Sequence, residues 1–406
     1  MIRFIHVADF HLGLRVTRFD EDACGRMAEA RFTALRKVRT EAARLNVDFV
    51  LVAGDVFDDH TVSKSDATRA YPILNSSSAD ACPVFIIPGN HDPLVPGGVW
   101  DRDPWLREQP HLRVRFLRMT EPVKVPNRPV TIFPCPLKQR RSMDDPTAWI
   151  ARHPREGDEQ FRIGLAHGSL NVGFRLPDDD HLIRADAADH YGLDYLALGH
   201  WHKEFRHKSA DGIVRTAYSG THEPMGFPDG LASIATGWAS FSADGEAERF
   251  RDDGVGRALL VTIPAPGAPP VIETIGVGEL RWSAEQRNLT GVRVGSLISE
   301  FADRDHRPLT VLRLALSGVM DPQGYDRLDE LRSVLKSYHA GTSLDTDDVL
   351  VEPDAEKLAE AVGKGVLQKV LGRLKHDAQS ADPNAKRVAD HALKLLYKIV
   401  WEGRPA

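Results

Sequence analysis

Cysteine is scarce in this sequence: Cys24, Cys82 and Cys135 are three in 406 residues. Their odd number, scatter and lack of CxxC spacing exclude a disulfide framework and a zinc knuckle, and leave them as small reduced core residues. Long apolar runs are missing too. None approaches the roughly 20 residues that span a bilayer. With 42% hydrophobic and 27% charged residues the composition is that of an ordinary soluble globular protein. An excess of positive charge is also absent. The net charge of −6 argues against a protein that coats nucleic acid electrostatically, although a local basic patch can sit on an acidic chain. No repeat or low-complexity tract is visible. Met1-Ile2-Arg3-Phe4 runs straight into a strand without the zones of a secretory signal, so a cytoplasmic location is expected.

What is present begins with alternating strands and helices. Buried-strand patterns at Phe4–Ala8, 49–53 and 84–88 are separated by helical patterns over 20–45 and about 63–77, a βαβαβ unit with parallel strands. Strands near 113–117 and 130–134 and a short helix near 146–152 follow. Further strand patterns occupy Phe161–Ala166, Tyr195–Leu198 and Val214–Tyr218, and 256–263 with 271–275 reads as a hairpin. Because single cores seldom exceed roughly 250 to 300 residues, more than one domain is expected. The composition shifts after about Leu280. Beyond it the patterns predict a helix at 291–302, a strand at 309–317, a helix at 322–337 and two last helices at about 354–375 and 383–402. Their apolar faces pack on their own domain or form a docking surface for a partner helix. Arg113, Arg115, Arg118, Lys138, Arg140 and Arg141 form a basic run that is either solvated surface or a phosphate-tracking groove.

The chemistry lies at the strand ends. Asp9-Phe10-His11, Gly54-Asp55-Val56-Phe57-Asp58, Gly89-Asn90-His91-Asp92 and Gly199-His200-Trp201-His202 each follow an apolar strand, and another strand ends at His167. Open α/β sheets place their ligands at such ends. Singly, an Asp here is often a helix cap and a lone His a hydrogen-bonded core group. Together, Asp9, His11, Asp55, Asn90, His167, His200 and His202 are oxygen and imidazole donors without thiolate, a set suited to two manganese, iron, zinc or magnesium ions. One carboxylate must then bridge the pair, and Asp55 is the candidate.

These motifs, with Ala166-His167-Gly168 and in this order, resemble the five signatures of the calcineurin-like metallophosphoesterases. The opening Ile5-His6-Val7-Ala8-Asp9-Phe10-His11-Leu12-Gly13 resembles, more narrowly, the SbcD-type DNA repair exonucleases. The likeness runs from residue 5 to about 222 and beyond 280 is one of layout only. It implies an α/β fold: a βαβαβ-based sheet sandwich flanked by helices (1–280), a smaller α+β capping domain (281–345) and a C-terminal helical segment (346–406). It implies Asp9, His11, Asp55 and His202 around one metal and Asp55, Asn90, His167 and His200 around the other, Mn²⁺ foremost. His91 would contact the phosphate as general acid or transition-state stabiliser, with Asp58 accepting a hydrogen bond from His91 to fix its tautomer. Tyr218-Ser219-Gly220-Thr221 would support the substrate; His222 and Glu223 have no counterpart in this scheme.

The resemblance further implies phosphodiester hydrolysis by metal-held hydroxide, acting on DNA in repair, with a coiled-coil ABC-type (SbcC-like) ATPase as partner. Assembly as a homodimer is a separate expectation. The alternative is the same site acting on a small phosphodiester or a phosphomonoester. A scaffold with a degenerate site is disfavoured by the full ligand set. Asp92 and Asp59-His60 stand where protein phosphatases of the superfamily carry Glu and Arg-Gly, which favours the nuclease.

Overall fold

Strands whose residues are apolar on both faces need cover on both sides, and the first unit of the fold supplies it as two facing sheets with helices outside. The computed structural model describes residues 1–75, 82–106, 113–157, 160–172, 180–228, 253–304, 307–352, 365–380 and 382–402. The chain separates into two units, Met1–Trp282 and Ser283–Ala406. In chain order the first unit contains β1 (Ile2–Val7), α1 (Glu21–Arg44), β2 (Phe49–Ala53), α2 (Lys64–Leu74), β3 (Val84–Ile87), β4 (Val114–Phe116), β5 (Val123–Lys124) and β6 (Val130–Pro134). It continues with β7 (Phe161–His167), β8 (Leu170–Asn171), β9 (Ile183–Arg184), α3 (Ala187–His190), β10 (Tyr195–Gly199), β11 (Glu204–Lys208), β12 (Val214–Ser219), β13 (Val255–Ile263) and β14 (Val271–Asn288), in which the unit boundary falls.

One sheet runs β14-β13-β1-β2-β3-β4, with β1 to β4 parallel and β13 antiparallel to β1; the other runs β11-β12-β10-β7-β6-β5, parallel from β12 to β6. Strand alternation assigns each residue a layer. Phe4, Phe49, Leu51, Phe85 and Ile87 meet Ile132, Ile163, Leu165, Tyr195 and Ala217 between the sheets, while Ile5, Val7, Val50, Val52 and Ile86 face the helices. Each Val, Leu, Ile or Phe side chain among them contributes about 1.5–3 kcal/mol on full burial. Helix α1 starts where Asp20 caps Ala23 N–H at 2.9 Å, and its Met27, Ala34, Leu35, Val38 and Ala42 form the buried stripe. The functional result is directional: β1, β2, β3, β7 and β10 all present their C-terminal ends on one side of the sandwich.

The second unit contains α4 (Val294–Ala302), β15 (Arg307–Met320), α5 (Pro322–Asp326), α6 (Leu328–Tyr338), β16 (His339–Val351), α7 (Val366–Asp377) and α8 (Pro383–Glu402). Strands β15 and β16 are parallel, and Leu297, Phe301, Leu312, Leu314, Leu331, Leu335 and Val349 form its core. From β14 onward the structure departs from the sequence expectation in three places. The helix expected over 322–337 is two short helices. The strand expected over 271–275 continues to Asn288. Strand β16 was not foreseen, because Asp345, Asp347 and Asp348 interrupt its apolar alternation. The expected helix at 354–375 lies outside the described residues up to position 364. Among the described residues no helix is long and apolar enough to cross a membrane.

Candidate metal centre

The turns after the strands are held in conformations that ordinary side chains avoid. Asp9, His11, Asp55 and His200 have positive φ (55°, 44°, 50° and 106°), and local hydrogen bonding must offset that cost. The turns hold one another: Asp9 N–H donates to Gly54 O at 3.1 Å, His11 N–H to Asp55 O at 3.0 Å, and His200 N–H to Asp9 Oδ1 at 2.9 Å. Asp92 staples two of them, accepting from Gly89 N–H (2.7 Å) and Phe57 N–H (3.0 Å). A Cβ on Gly89 would overlap the Asp55 carboxylate, and one on Gly54 the His167 ring, so both glycines are required by close approach.

All seven donors expected from the sequence are brought together. On one side His11 Nε2 lies 3.1 Å from His202 Nε2 and 3.6 Å from Asp55 Oδ2, and ligand atoms of Asp9, His11 and His202 all lie within 4.8 Å of one another. On the other, His167 Nε2 and His200 Nδ1 lie 2.8 and 3.1 Å from Asn90 Oδ1, and His167 Nε2 lies 3.4 Å from Asp55 Oδ2. Asp55 Oδ2 thus sits between the two groups while its Oδ1 accepts the His91 N–H at 2.9 Å.

The donors fit a pair of cations. His167 Nδ1–H donates to Ala53 O at 2.8 Å, which aims the other ring nitrogen at two oxygens; that point needs a proton or a metal ion. His11 likewise donates Nδ1–H outward, turning Nε2 toward another imidazole nitrogen and a carboxylate. Among the described residues Asp9 Oδ2 and Asp55 Oδ2 are buried without hydrogen-bond partners. Electrostatics agree: burial pushes the Asp9 carboxyl up to about 8. Burial opposes charge on Asp55 and His167 as well, but their mutual attraction wins, holding Asp55 below the usual carboxylate range and raising His167 to about 9. Burial and the neighbouring His167 lower His200 to about 3. A neutral His200 is in the form that ligates metals.

One expected contact is corrected. The Asp58 carboxylate does not accept from His91; Oδ1 accepts from His11 Nδ1 at 3.0 Å, and it is the Asp58 main-chain carbonyl that accepts from His91 Nδ1 at 2.8 Å. The turn gives the Asp58 carboxylate its hydrogen bond on His11, after β1, and leaves the carbonyl to bond His91. Asp58→Asn is therefore expected to weaken metal binding about 10–100-fold, the usual cost of losing a partner behind a ligand. Titration with Mn²⁺ measures this; unchanged affinity with a changed pH profile would return Asp58 to His91.

Several supporting residues escaped the sequence reading because they are distant in the chain. His6 lies between the sheets, where Tyr195 Oη donates to Nδ1 (3.0 Å) and Nε2–H donates to Leu198 O (3.1 Å), tying β1 to β10 just below Asp9 and His200. Arg31 of α1 donates to Phe10 O at 3.0 Å and Pro224 O at 3.4 Å, and the Arg31 carbonyl accepts from His222 Nε2 at 2.8 Å. The His222 ring lies 4.6 Å from the Phe10 ring. His222 thus braces the turn between Asp9 and His11. Glu223 holds the next segment down, accepting from Glu279 N–H (2.6 Å) and Leu280 N–H (3.0 Å).

Burial raises the Glu223 carboxyl from 4.5 to about 7. The folded chain therefore binds the extra proton, and this contribution is complete below about pH 4.5 and lost as pH rises through about 7. The shift corresponds to on the order of 3 kcal/mol. The thermal midpoint of the wild-type chain is expected to fall relative to Glu223→Gln between pH 5 and 8; parallel midpoints across that range would contradict this role. The basic residues Arg113, Arg115, Lys138, Arg140 and Arg141 are exposed, and Arg140 lies 3.9 Å from Asp59 beside the site.

Comparison with known proteins agrees with this chemistry. The model of the calcineurin-like phosphoesterase family matches residues 2–204. The "Uncharacterized metallophosphoesterase YhaO" of Bacillus subtilis is 31% identical over 206 residues, covering 50% of this chain and 49% of its own. The DNA double-strand break repair proteins Mre11 of Methanopyrus kandleri and Aeropyrum pernix are 24% identical over 238 residues and 26% over 250, covering 56% and 55% of this chain and 50% and 54% of theirs. The chain spans about half the length of these curated relatives.

Proposed function

The chain belongs to the calcineurin-like phosphoesterase family, and from that premise we propose that it is a two-metal DNA nuclease of the SbcD type. The observation that carries the metal half of this reading is Asp55 Oδ2, buried and, among the described residues, without a hydrogen bond, between His11 Nε2 at 3.6 Å and His167 Nε2 at 3.4 Å. Asp9, His11, Asp55 and His202 would hold one ion, and Asp55, Asn90, His167 and His200 the other. Bound there, divalent ions supply Lewis-acid activation of water and neutralise charge at phosphorus; oxygen and imidazole donors suit manganese.

The remaining chemistry belongs to the chain. His91 is anchored twice, by its N–H on Asp55 Oδ1 and its Nδ1–H on Asp58 O, and among the described residues its Nε2 has no hydrogen-bond partner. That nitrogen is the group that contacts a phosphate oxygen and passes a proton to the leaving alcohol. DNA as substrate draws on the two Mre11 relatives and on exposed Arg140 beside Asp59, with exposed Lys138 and Arg141 close to it in the chain. Action in the cytoplasm and partnership with a coiled-coil ATPase belong to the same reading. The exposed Val366, Val370, Val388 and Ile399 of α7 and α8 mark where to look for that partner.

Purified full-length chain with Mn²⁺ is expected to degrade linear DNA. Hydrolysis of bis-p-nitrophenyl phosphate with no cleavage of DNA, with or without an ATPase partner, would sink the nuclease and leave the alternative, a phosphoesterase of small substrates.

A further inference from the structure

His202 belongs to two features at once: the ring cluster around Asp9 and His11, and a recess of about 260 Å³ in the same unit. At ~30 Å³ per water that is the space of roughly eight or nine waters, room for one flat ring system and not for a duplex. Pro224, Met225 and Phe227 supply apolar lining, and Thr221, Lys203, Glu204 and Arg257 supply polar lining.

The charge of Arg257 is already matched. Arg257 is ion-paired with Asp253 and lies 3.7 Å from Glu204 Oε2, and Glu204 in turn lies 2.7 Å from Arg206. With Asp253 and Glu204 set against Arg257 and Lys203, the lining carries no excess positive charge to hold a second phosphate. A neutral ring with hydrogen-bonding edges would find both apolar and polar lining.

The recess is also firmly built. Thr221 N–H donates to His202 O at 3.1 Å, Arg257 N–H to Thr221 O at 3.0 Å, and the segment between Thr221 and Met225 is fixed from behind by Arg31, His222 and Glu223. A pre-formed recess takes its ligand without the cost of ordering a loop.

We propose that this recess is a subsite for the nucleoside adjoining the scissile phosphate, which it seats while that phosphate lies against the His202 side of the metal centre. The proposal rests on the nuclease reading and deepens it: the enzyme recognises a single unstacked nucleoside at a strand end.

Gly226 supplies the test, because it lines the recess and a Cβ there meets nothing within 4 Å among the described residues, which leaves space for a larger side chain. Wild-type chain, Gly226→Phe and Met225→Trp would be assayed with Mn²⁺ on linear DNA, thymidine 5′-(p-nitrophenyl phosphate) and bis-p-nitrophenyl phosphate. Filling the recess is expected to raise KM for the thymidine ester at least about tenfold relative to bis-p-nitrophenyl phosphate, a loss of about 1.4 kcal/mol in nucleoside binding. Thymidine itself is expected to inhibit wild-type hydrolysis of bis-p-nitrophenyl phosphate competitively, a readout that needs no variant. DNA cleavage by the wild type, without thymidine inhibition and with both esters affected equally in the variants, overturns the subsite and leaves the nuclease standing. A wild type that hydrolyses bis-p-nitrophenyl phosphate but neither DNA nor the thymidine ester overturns the nuclease reading and the subsite with it.

Discussion

Asp55→Asn is expected to bind neither metal ion and to hydrolyse phosphodiesters at least about a thousandfold more slowly, well beyond the ~10–100-fold that follows loss of a group behind a ligand. The expectation follows from position. Asp55 Oδ2 approaches both imidazole groups, at 3.6 Å from His11 Nε2 and 3.4 Å from His167 Nε2, so its charge serves both halves of the centre. Asparagine keeps the shape and could still accept the His91 N–H, but it removes the anion that stabilises an adjacent pair of divalent charges. Elemental analysis of the purified variant decides the matter. Two retained equivalents would mean that Asp9 or another carboxylate holds the ions together and that Asp55 serves mainly to fix the His91 turn.

His91→Ala is expected to have the second largest effect and the opposite signature. Activity on DNA should drop about 10²–10⁴-fold, the range for loss of a positioned acid, while two metal equivalents remain. Of the two ring nitrogens, one is occupied by the Asp58 carbonyl and the other has no hydrogen-bond partner among the described residues, with the ring edge-to-face on His11 at 4.7 Å between centroids. Leaving-group dependence separates protonation from simple binding. p-Nitrophenolate departs without a proton and a deoxyribose alkoxide does not, so the variant should lose far less on bis-p-nitrophenyl phosphate than on DNA. Equal losses on both would assign His91 to holding the phosphate; loss of metal would make it part of the ion site.

The ligand set was readable because each donor lies within a few residues of its strand, where short motifs survive as neighbours in the chain. Asp9-Phe10-His11 and Gly199-His200-Trp201-His202 needed no knowledge of packing to be recognised. Asp58 shows where that stops. Its place near the site follows from Asp55, but whether its carboxylate turns to His11 or His91 depends on how two turns from different strands face each other. His6, Arg31 and His222 were unreadable for the same reason, since their partners lie 189, 21 and 191 residues away. In the second unit the limit was a different one. Strand β16 carries aspartates on its exposed face, and its pairing with β15, not its own pattern, makes it a strand.

The donors come from the ends of strands in two separate sheets, and His6 is a bolt between them. The spacing of the layers is therefore also the spacing of the ligands. A relative could keep every motif and yet, with larger or smaller side chains in place of Phe4, Tyr195 or Leu165, hold them too far apart or too close to share ions. In evolutionary terms the centre is not a module that can be moved with its five signatures. It is inherited with the interior beneath it, and drift in that interior is constrained by chemistry at its rim.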